Sequence, residues 1–393
     1  MFVTLTSLAA AAVSAGVLAV VLPQAHWLGL MDHPGERRRI HREAVPRIGG
    51  LGVFAGMLTA DLRVSLWVVT GGGGTNLPLG AGAKMVVGVE TEGVPAGRGG
   101  PAEALSLLAA VWTPSALFGM LGAVMVVVIG VLDDRHQLSP RVRLLGQAGA
   151  ALVLSLGGGV RLDSLGDLFG FGPVDLGPLA VPFTVFAVVG VINAFNMIDG
   201  IDGLAAGLFL IALAGLLWLH PGPGILPVLL LGAGAALVPF LACNLEVLGL
   251  RGCKVFLGDA GSLLLGYLVA WALVAESTAP GALDAVTALW LCALPLADTL
   301  AVMGRRMWHG QHPFSADRGH LHHLLSRWFR STRKALVAML TVAALLAGLG
   351  VALQALQVPE WLRFLGAMLI FGLYLLILRH VRCWYRRYAQ GRR

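Results

Sequence analysis

Apolar stretches of about 17–23 residues recur from one end of this chain to the other, and no other feature restricts its fold so tightly. Each matches the roughly 20 residues that an α-helix needs to cross the hydrocarbon core of a bilayer. Within lipid the backbone must satisfy its own hydrogen bonds, which selects helices. A transmembrane barrel would show shorter segments of alternating hydrophobicity, and these runs do not alternate. The sequence therefore predicts an all-α polytopic membrane protein of about 11 transmembrane helices. They are expected at 3–23, 48–70, 114–132, 144–160, 179–197, 203–220, 225–243, 262–278, 285–303, 335–356 and 361–380. Composition agrees, since 12% of the 393 residues are charged against about 25% in soluble chains.

The first run, Val3 to Leu22, lacks the basic start and small-residue cleavage site of a secretory signal, so it is expected to stay as the first span. Cys243, Cys253, Cys292 and Cys383 show no CxxC spacing, offer no disulfide framework, and are expected to serve packing. The chain reads as one integral-membrane domain, 1–393. Its glycine-rich stretch, 71–113, is expected as a loop on one side. On the other side, 304–334 is expected to carry an interfacial helix.

Lysine and arginine set the expected orientation. One set of loops, together with the C-terminal tail, holds 23 of the 28. The other set holds Arg63, Lys84, Arg98, Arg161 and Arg363. That asymmetry predicts an outside N-terminus and a cytoplasmic C-terminus. The net charge of +7 belongs mostly to the inner face, where each basic residue gains about 1 kcal/mol against anionic lipid. With no soluble basic module, no nucleic-acid partner is expected.

Ionisable groups at membrane boundaries are costly and invite a functional reading. Five inner loops carry them. In DHPGERRRIHREAVPRIGG (32–50), arginines beside a Pro-Arg-Ile-Gly-Gly turn suit phosphate, although inside-positive charge explains them too. Asp133 and Asp134 follow an apolar run at a helix C-terminus, where the dipole disfavours acids, so a cation should compensate: Arg135, Arg141, or a bound ligand. Asn193, Asn196, Asp199 and Asp202 recur every third residue, which on a helix drifts by about 60° per step. Gly200 and Gly203 suggest that the helix breaks there and lets these oxygens converge on a hard cation, with no basic residue in the segment. Asp259 lies between glycines just before a span and fits a plain N-cap or an approach to ligand. In HPFSADRGHLHHLLSRWFR, Asp317 is placed to cap a short helix. Leu321, Leu324, Leu325 and Trp328 form its apolar stripe, opposite a basic face of His320, His323 and Arg327. Asp298, seven residues before Arg305, is expected to form a supporting ion pair.

Taken in order, RRRIHREAVPRIGG, the Asp133–Asp134 pair, NAFNMIDGIDGLAAG, FLGDAGSLLLG and HPFSADRGHLHHLL resemble the polyprenyl-phosphate N-acetylhexosamine-1-phosphate transferase family. The resemblance covers nearly the whole chain except about 57–113. The histidine pattern, His320-Leu321-His322-His323, is similar to the branch acting on UDP-GlcNAc and undecaprenyl phosphate rather than to the peptidoglycan branch, which has three consecutive histidines. The resemblance implies transfer of GlcNAc-1-phosphate to undecaprenyl phosphate with release of UMP, at the cytoplasmic face of a bacterial inner membrane. It implies Mg2+, with Mn2+ as an alternative, held by Asn196 and Asp259. It further implies Asp133, Asp134 and Asp199 as catalytic, with Asp133 orienting or deprotonating the lipid phosphate and Asp134 supporting it. His41, Arg42, Asp202, Arg318, His320, His322 and His323 would bind substrate. UDP-FucNAc, UDP-GalNAc or UDP-MurNAc-pentapeptide are the alternative donors, and a homodimer is compatible with the family. A secondary transporter is the rival of another class, but transporters keep their acids near the midplane of repeated halves, and no repeat is visible here.

Overall fold

The computed structural model describes residues 2–33, 44–69, 76–78, 84–86, 112–219, 225–250, 252–278, 283–312 and 319–390. It is mostly helical. The α-helices among the described residues are α1 (Phe2–Val21), α2 (Gly49–Val69), α3 (Pro114–His136), α4 (Pro140–Leu152), α5 (Ala180–Ile198), α6 (Leu204–Leu219) and α7 (Ile225–Asn244). They continue with α8 (Gly258–Thr278), α9 (Ala285–Leu291), α10 (Ala293–Trp308), α11 (Leu321–Phe329), α12 (Thr332–Ala355) and α13 (Glu360–Gln390). Sequence punctuation explains several starts. Thr113, Ser139 and Ser331 each accept a backbone N–H three residues on, and proline follows the first two.

Each predicted span falls on a helix, but not all form a full crossing by length and composition. Seven helices are long and apolar enough, or eight if the bent pair α9–α10 is one span. Outside that set, α2 carries Asp61 and Arg63, α4 has 13 residues and continues into a π turn at Val153–Gly157, and α6 has 16. The expected single span at 285–303 is instead broken at Cys292, where α9 and α10 meet at 81°. Within the glycine-rich stretch, β3 (Asn76–Pro78) and β4 (Lys84–Val86) pair antiparallel. Cys243, Cys253 and Cys292 are free thiols.

Helix α8 is the most deeply buried of the spans and packs against α2, α3 and α5. Lipid offers no hydrophobic drive between helices, so small residues that let backbones touch must supply the packing. A Cβ on Gly50 of α2 would lie 2.2 Å from the Gly261 nitrogen of α8. One on Gly130 of α3 would lie 2.3 Å from the Ala260 Cα. Farther along, Gly119 leaves room for Trp271, and its carbonyl accepts the Tyr267 hydroxyl at 2.9 Å.

Each end of the bundle has its own polar fastening. At the end where α8 begins, β1 (Met31–Asp32) pairs antiparallel with β2 (Val45–Pro46). The chain after β2 runs beside the segment leading into α8: Phe256 N–H donates to the Pro46 carbonyl, and the Gly49 and Gly50 N–H groups donate to Phe256 and Leu257. At the opposite end, buried Arg363 of α13 donates to Thr287 Oγ1 at 2.7 Å and to Asp284 Oδ2 at 2.6 Å. Glu360 there accepts the Asp167 N–H.

Candidate active site

The fastening at the start of α8 closes one wall of a cavity of about 620 Å³. Four separate stretches of sequence line it: Asp32 and Arg47, Asp134, Asn196 to Gly203, and Lys254 to Ser262. Ala206, Phe240, Asn244 and Thr332 complete the lining.

The aspartate pair divides its work. Asp134 faces the cavity, where Oδ2 accepts the Ala260 N–H at 3.2 Å and sits against Gly258. Gly258 has φ +73°, and a Cβ there would come 2.6 Å from that same oxygen, so both conformation and space require glycine. Asp134 Oδ1 is buried without a hydrogen-bond partner among the described residues; its nearest cation is Arg47 Nη1 at 3.5 Å. Asp133 turns out of the cavity lining. It accepts from the Leu138 N–H at 2.7 Å and pairs with Arg143 at 2.8 Å. The compensating cations are thus Arg47 and Arg143, not the expected Arg135 and Arg141. Arg47 also pairs with Asp32.

Helix α5 ends at Ile198, as the glycines predict, and α6 begins at Leu204, with Gly203 at φ +77°. Asn196 donates to Asp259 Oδ1 at 2.5 Å and to Ser262 Oγ at 3.0 Å. Asp259 lies in the first turn of α8 rather than at its cap, where the helix dipole favours a negative charge. Asn193 is turned the other way, donating to Gln147 Oε1 at 2.6 Å. The segment does acquire a basic partner through the fold: Lys254 pairs with Asp202 at 2.8 Å. Burial pushes Asp199 up to about 8, with the carboxylates of Asp259, Asp202 and Asp134 adding to the effect.

Among the described residues no three His, Cys, Asp or Glu side chains group closely enough to hold a metal by themselves. Mg2+ does not require that. It usually keeps several waters and binds through one or two carboxylates plus substrate phosphates. Asn196 beside Asp259, an orphaned Asp134 oxygen and an acid held protonated chiefly by burial form an oxygen-rich setting, short of positive charge, that fits such an ion.

The expected basic face of His320, His323 and Arg327 is not uniform: Arg327 is exposed and His323 half-buried, whereas His320 is buried. His322 is buried too, and His320, not Asp317, occupies the N-cap position of α11. The partners of Asp298 are His320 Nδ1 at 2.8 Å, the Leu321 N–H at 2.9 Å and the Tyr374 hydroxyl at 2.7 Å, in place of the expected Arg305 pair. His322 stacks on His320 with ring centroids 5.5 Å apart and lies 4.2 Å from the His323 ring. A Cβ on Gly200 would come 2.1 Å from His322 Nε2, so this ring packs directly on the acidic loop. Burial, aided by His323, pushes His322 down to about 3, so it is neutral at physiological pH. His41, Arg42, Arg318 and Asp317 lie outside the described residues.

Arg47, Lys254, Asn244 and the two phenylalanines are cavity residues that were not singled out as site residues from the sequence. The Pro-Arg-Ile-Gly-Gly turn marked Arg47; nothing local marks Asn244. Its Nδ2 donates to the Val255 carbonyl at 2.8 Å, and its Oδ1 is buried without a partner. A second cavity, of about 560 Å³, runs between α5, α8, α9 and α10 and is almost wholly apolar. Phe183, Phe186, Leu273, Leu289 and Leu300 are among its walls, and Asn193 is one of its few polar residues.

Residues 116–277 match the model of the family described as glycosyl transferase family 4. Over 353 residues the chain is 35% identical to the undecaprenyl-phosphate alpha-N-acetylglucosaminyl 1-phosphate transferase of Escherichia coli, covering 88% of this chain and 83% of that one. The protein of the same description from Salmonella typhimurium is 36% identical over 351 residues, with the same coverage. That of Haemophilus influenzae is 32% identical over 378 residues, spanning 94% of this chain and 93% of its own.

Proposed function

Because the chain belongs to glycosyl transferase family 4, we propose that it transfers GlcNAc-1-phosphate from UDP-GlcNAc to undecaprenyl phosphate, releasing UMP. One observation carries this reading: a single cavity gathers the oxygens of Asp134, Asn196, Asp199, Asp202 and Asp259 in a chain that matches such transferases over most of its length. The acidic end of the bundle faces the cytoplasm of a bacterial inner membrane, where the nucleotide sugar is available. The chain crosses that membrane eleven times, with α2, α4, α6 and the bent α9–α10 pair completing the count. The placement of 23 of 28 basic residues supports this orientation.

Phosphoryl transfer of this kind needs positioning and charge neutralisation more than covalent help from the protein. Asn196 and Asp259 would hold Mg2+, or Mn2+, and the ion, when bound, would supply charge stabilisation for the diphosphate and the departing UMP. Asn244 Oδ1, an unused acceptor in a lining that also includes Phe240 and Phe256, suits the imide N–H of uracil. Lys254 and Asp202 border the same space and meet the nucleotide. Arg47 lies across the cavity and offsets charge on the transferred phosphate.

The apolar cavity suits the prenyl chain, and its polar residue Asn193 is held by Gln147, one turn beyond Arg143 on α4. Arg143, fixed by Asp133, is therefore suited to the acceptor phosphate. A phosphate monoester is mostly a dianion at neutral pH, since its second pKa is about 6. Asp133 accordingly orients that group without having to remove a proton. The acceptor oxygen forms a bond to the β-phosphorus as the bond to the UMP oxygen breaks, in one displacement.

Purified protein incubated with undecaprenyl phosphate and a panel of UDP-sugars, with and without Mg2+, is expected to release UMP from UDP-GlcNAc in a metal-dependent way. Turnover with UDP-FucNAc, UDP-GalNAc or UDP-MurNAc-pentapeptide instead would reassign the donor. No UMP from any donor would defeat the enzyme reading.

A further inference from the structure

The apolar cavity between α5, α8, α9 and α10 has a direction. Its lining on α5 runs from Phe183 to Asn193, a rise of about 15 Å along the helix. Asn193 stands less than one turn from Asn196 of the acidic cavity, so the two spaces follow one another along α5. Phe186 and Leu300 line the apolar cavity and are nevertheless 70% and 53% exposed, so its flank opens on the lipid-facing surface.

The end remote from the acids is shut by Leu162, Leu165 and Leu168, beside Phe364 of α13. These leucines belong to the connection between the π turn that ends at Gly157 and the 3-10 turn that begins at Gly177. Neighbouring helices in a bundle are usually joined by about 2–8 residues. Here α4 and α5 pack side by side, yet a longer, built hairpin joins them. Leu165 N–H donates to the Val174 carbonyl and Val174 N–H to the Gly166 carbonyl, both at 2.9 Å. Asp167 closes the tip by accepting the Gly170 and Gly172 N–H groups at 2.7 and 3.2 Å.

The hairpin is also pinned on two sides. Leu162 N–H donates to the buried Thr184 hydroxyl of α5 at 2.8 Å. On α13, Glu360 accepts the Asp167 N–H, and Phe364 meets Phe169 edge to face with ring centroids 6.0 Å apart. A plain connection needs no such fixing, but a wall does. A lipid whose phosphate sits at the acidic end must send its tail toward this opposite end. Leaving the bilayer for an apolar cavity brings that tail no hydrophobic gain, only packing, and packing stops where the cavity stops.

We propose that hairpin 162–176 is the floor of the acceptor site and sets how many isoprene units of the acceptor the protein reads. The inference rests on the transferase reading above, with the prenyl chain in this cavity. Units short of the floor pack against protein. Those beyond it turn out through the open flank into lipid and add nothing.

The test uses full-length protein in nanodiscs holding prenyl phosphates, from geranyl to undecaprenyl, at one fixed mole fraction. In wild type, kcat/KM is expected to rise with chain length and then level off. Leu165→Trp fills the floor and should lower kcat/KM by about 5- to 100-fold for acceptors on the plateau, against less than about twofold for the shortest accepted chain. Leu168→Ala deepens the floor and should move the plateau to a longer chain. A damaged fold would not give opposite shifts in the two variants. A second readout needs no turnover: prenyl phosphates tipped with a diazirine should label 162–176 at intermediate length, and excess undecaprenyl phosphate should suppress that label. Should Leu165→Trp fail to fold, Leu168→Ala and the labelling decide. Rates indifferent to chain length, an equal loss at every length, or no suppressible label in the hairpin would each overturn the proposal. If wild-type protein releases no UMP from any acceptor, the transferase reading falls, and the labelling alone decides whether the hairpin meets a prenyl chain.

Discussion

The two ends of the bundle both bury charge, but they balance it differently. At one end Arg363 faces Asp284 and Thr287, and every strong partner comes from the protein. At the other, Asp134, Asp199, Asp202 and Asp259 line a cavity with Arg47 and Lys254 as its cations among the described residues. An arrangement that closes on itself holds helices together, whereas one left with excess negative charge calls for something from outside. The contrast separates a fastening from a site more sharply than burial does, since buried charges occur at both.

If that contrast is right, the largest effect on activity comes from the unbalanced end. Asp259→Ala is expected to reduce UMP release by at least about 10²-fold, comparable to removing a main electrostatic stabiliser, while the protein still inserts and folds. Normal Mg2+-dependent turnover would remove Asp259 from the site. Arg363→Ala should do the reverse. Losing the buried guanidinium and its bonds to Thr287 and to Asp284, whose side chain is 35% accessible, is expected to cost about 1.5–3 kcal/mol, read as a lower unfolding temperature with specific activity retained in the folded fraction.

A smaller effect is pH-dependent. Asp199 in the metal-free protein binds its proton up to about pH 8, above its unfolded range. The folded state therefore binds more protons than the unfolded state between those values, and stability falls as pH rises through the window. Thermal unfolding in chelator should show this decline, Asp199→Asn should flatten it, and added Mg2+ should oppose it most strongly near pH 8. A decline of equal slope in Asp199→Asn would assign it elsewhere. Smallest in stability is Lys254→Ala. The Lys254–Asp202 pair is partly exposed, with side chains 27% and 36% accessible, so its loss should cost less than about 1 kcal/mol. Its effect should appear as a raised KM for the nucleotide sugar.

Much of this was legible in the sequence because lipid simplifies the code. Long apolar runs mark helices wherever they occur, and the break between Gly200 and Gly203 follows from residues inside the break itself. Asn196 and Asp259 also find each other as their motifs suggest. What could not be read is pairing between distant segments. Neighbouring Asp133 and Asp134 are indistinguishable as letters, yet one faces Arg143 and the other the cavity. The NAFNMIDGIDG segment contains no base, and only the fold delivers Lys254 to it. The same limit hid the partner of Asp298. Arg305 is near in sequence, but the fold brings His320 to the carboxylate. The break at Cys292 does carry a signal that a count of apolar residues passes over: Pro295, in the first turn of α10, has no N–H for the Leu291 carbonyl four residues back.

The glycine contacts beneath the cavity carry one more consequence. With Gly50 against Gly261 and Gly130 against Ala260, three helices meet main chain to main chain, and no pliable side chain separates them. The carboxylates rooted there, Asp134 and Asp259, behave as features of a single rigid anvil whose spacing cannot be tuned. On the transferase reading, Asp202, Lys254 and Asn244 meet the nucleotide that all UDP-sugar donors share, so a bulkier or slimmer sugar has to be accommodated by the remaining lining residues, and engineering of donor choice should begin there.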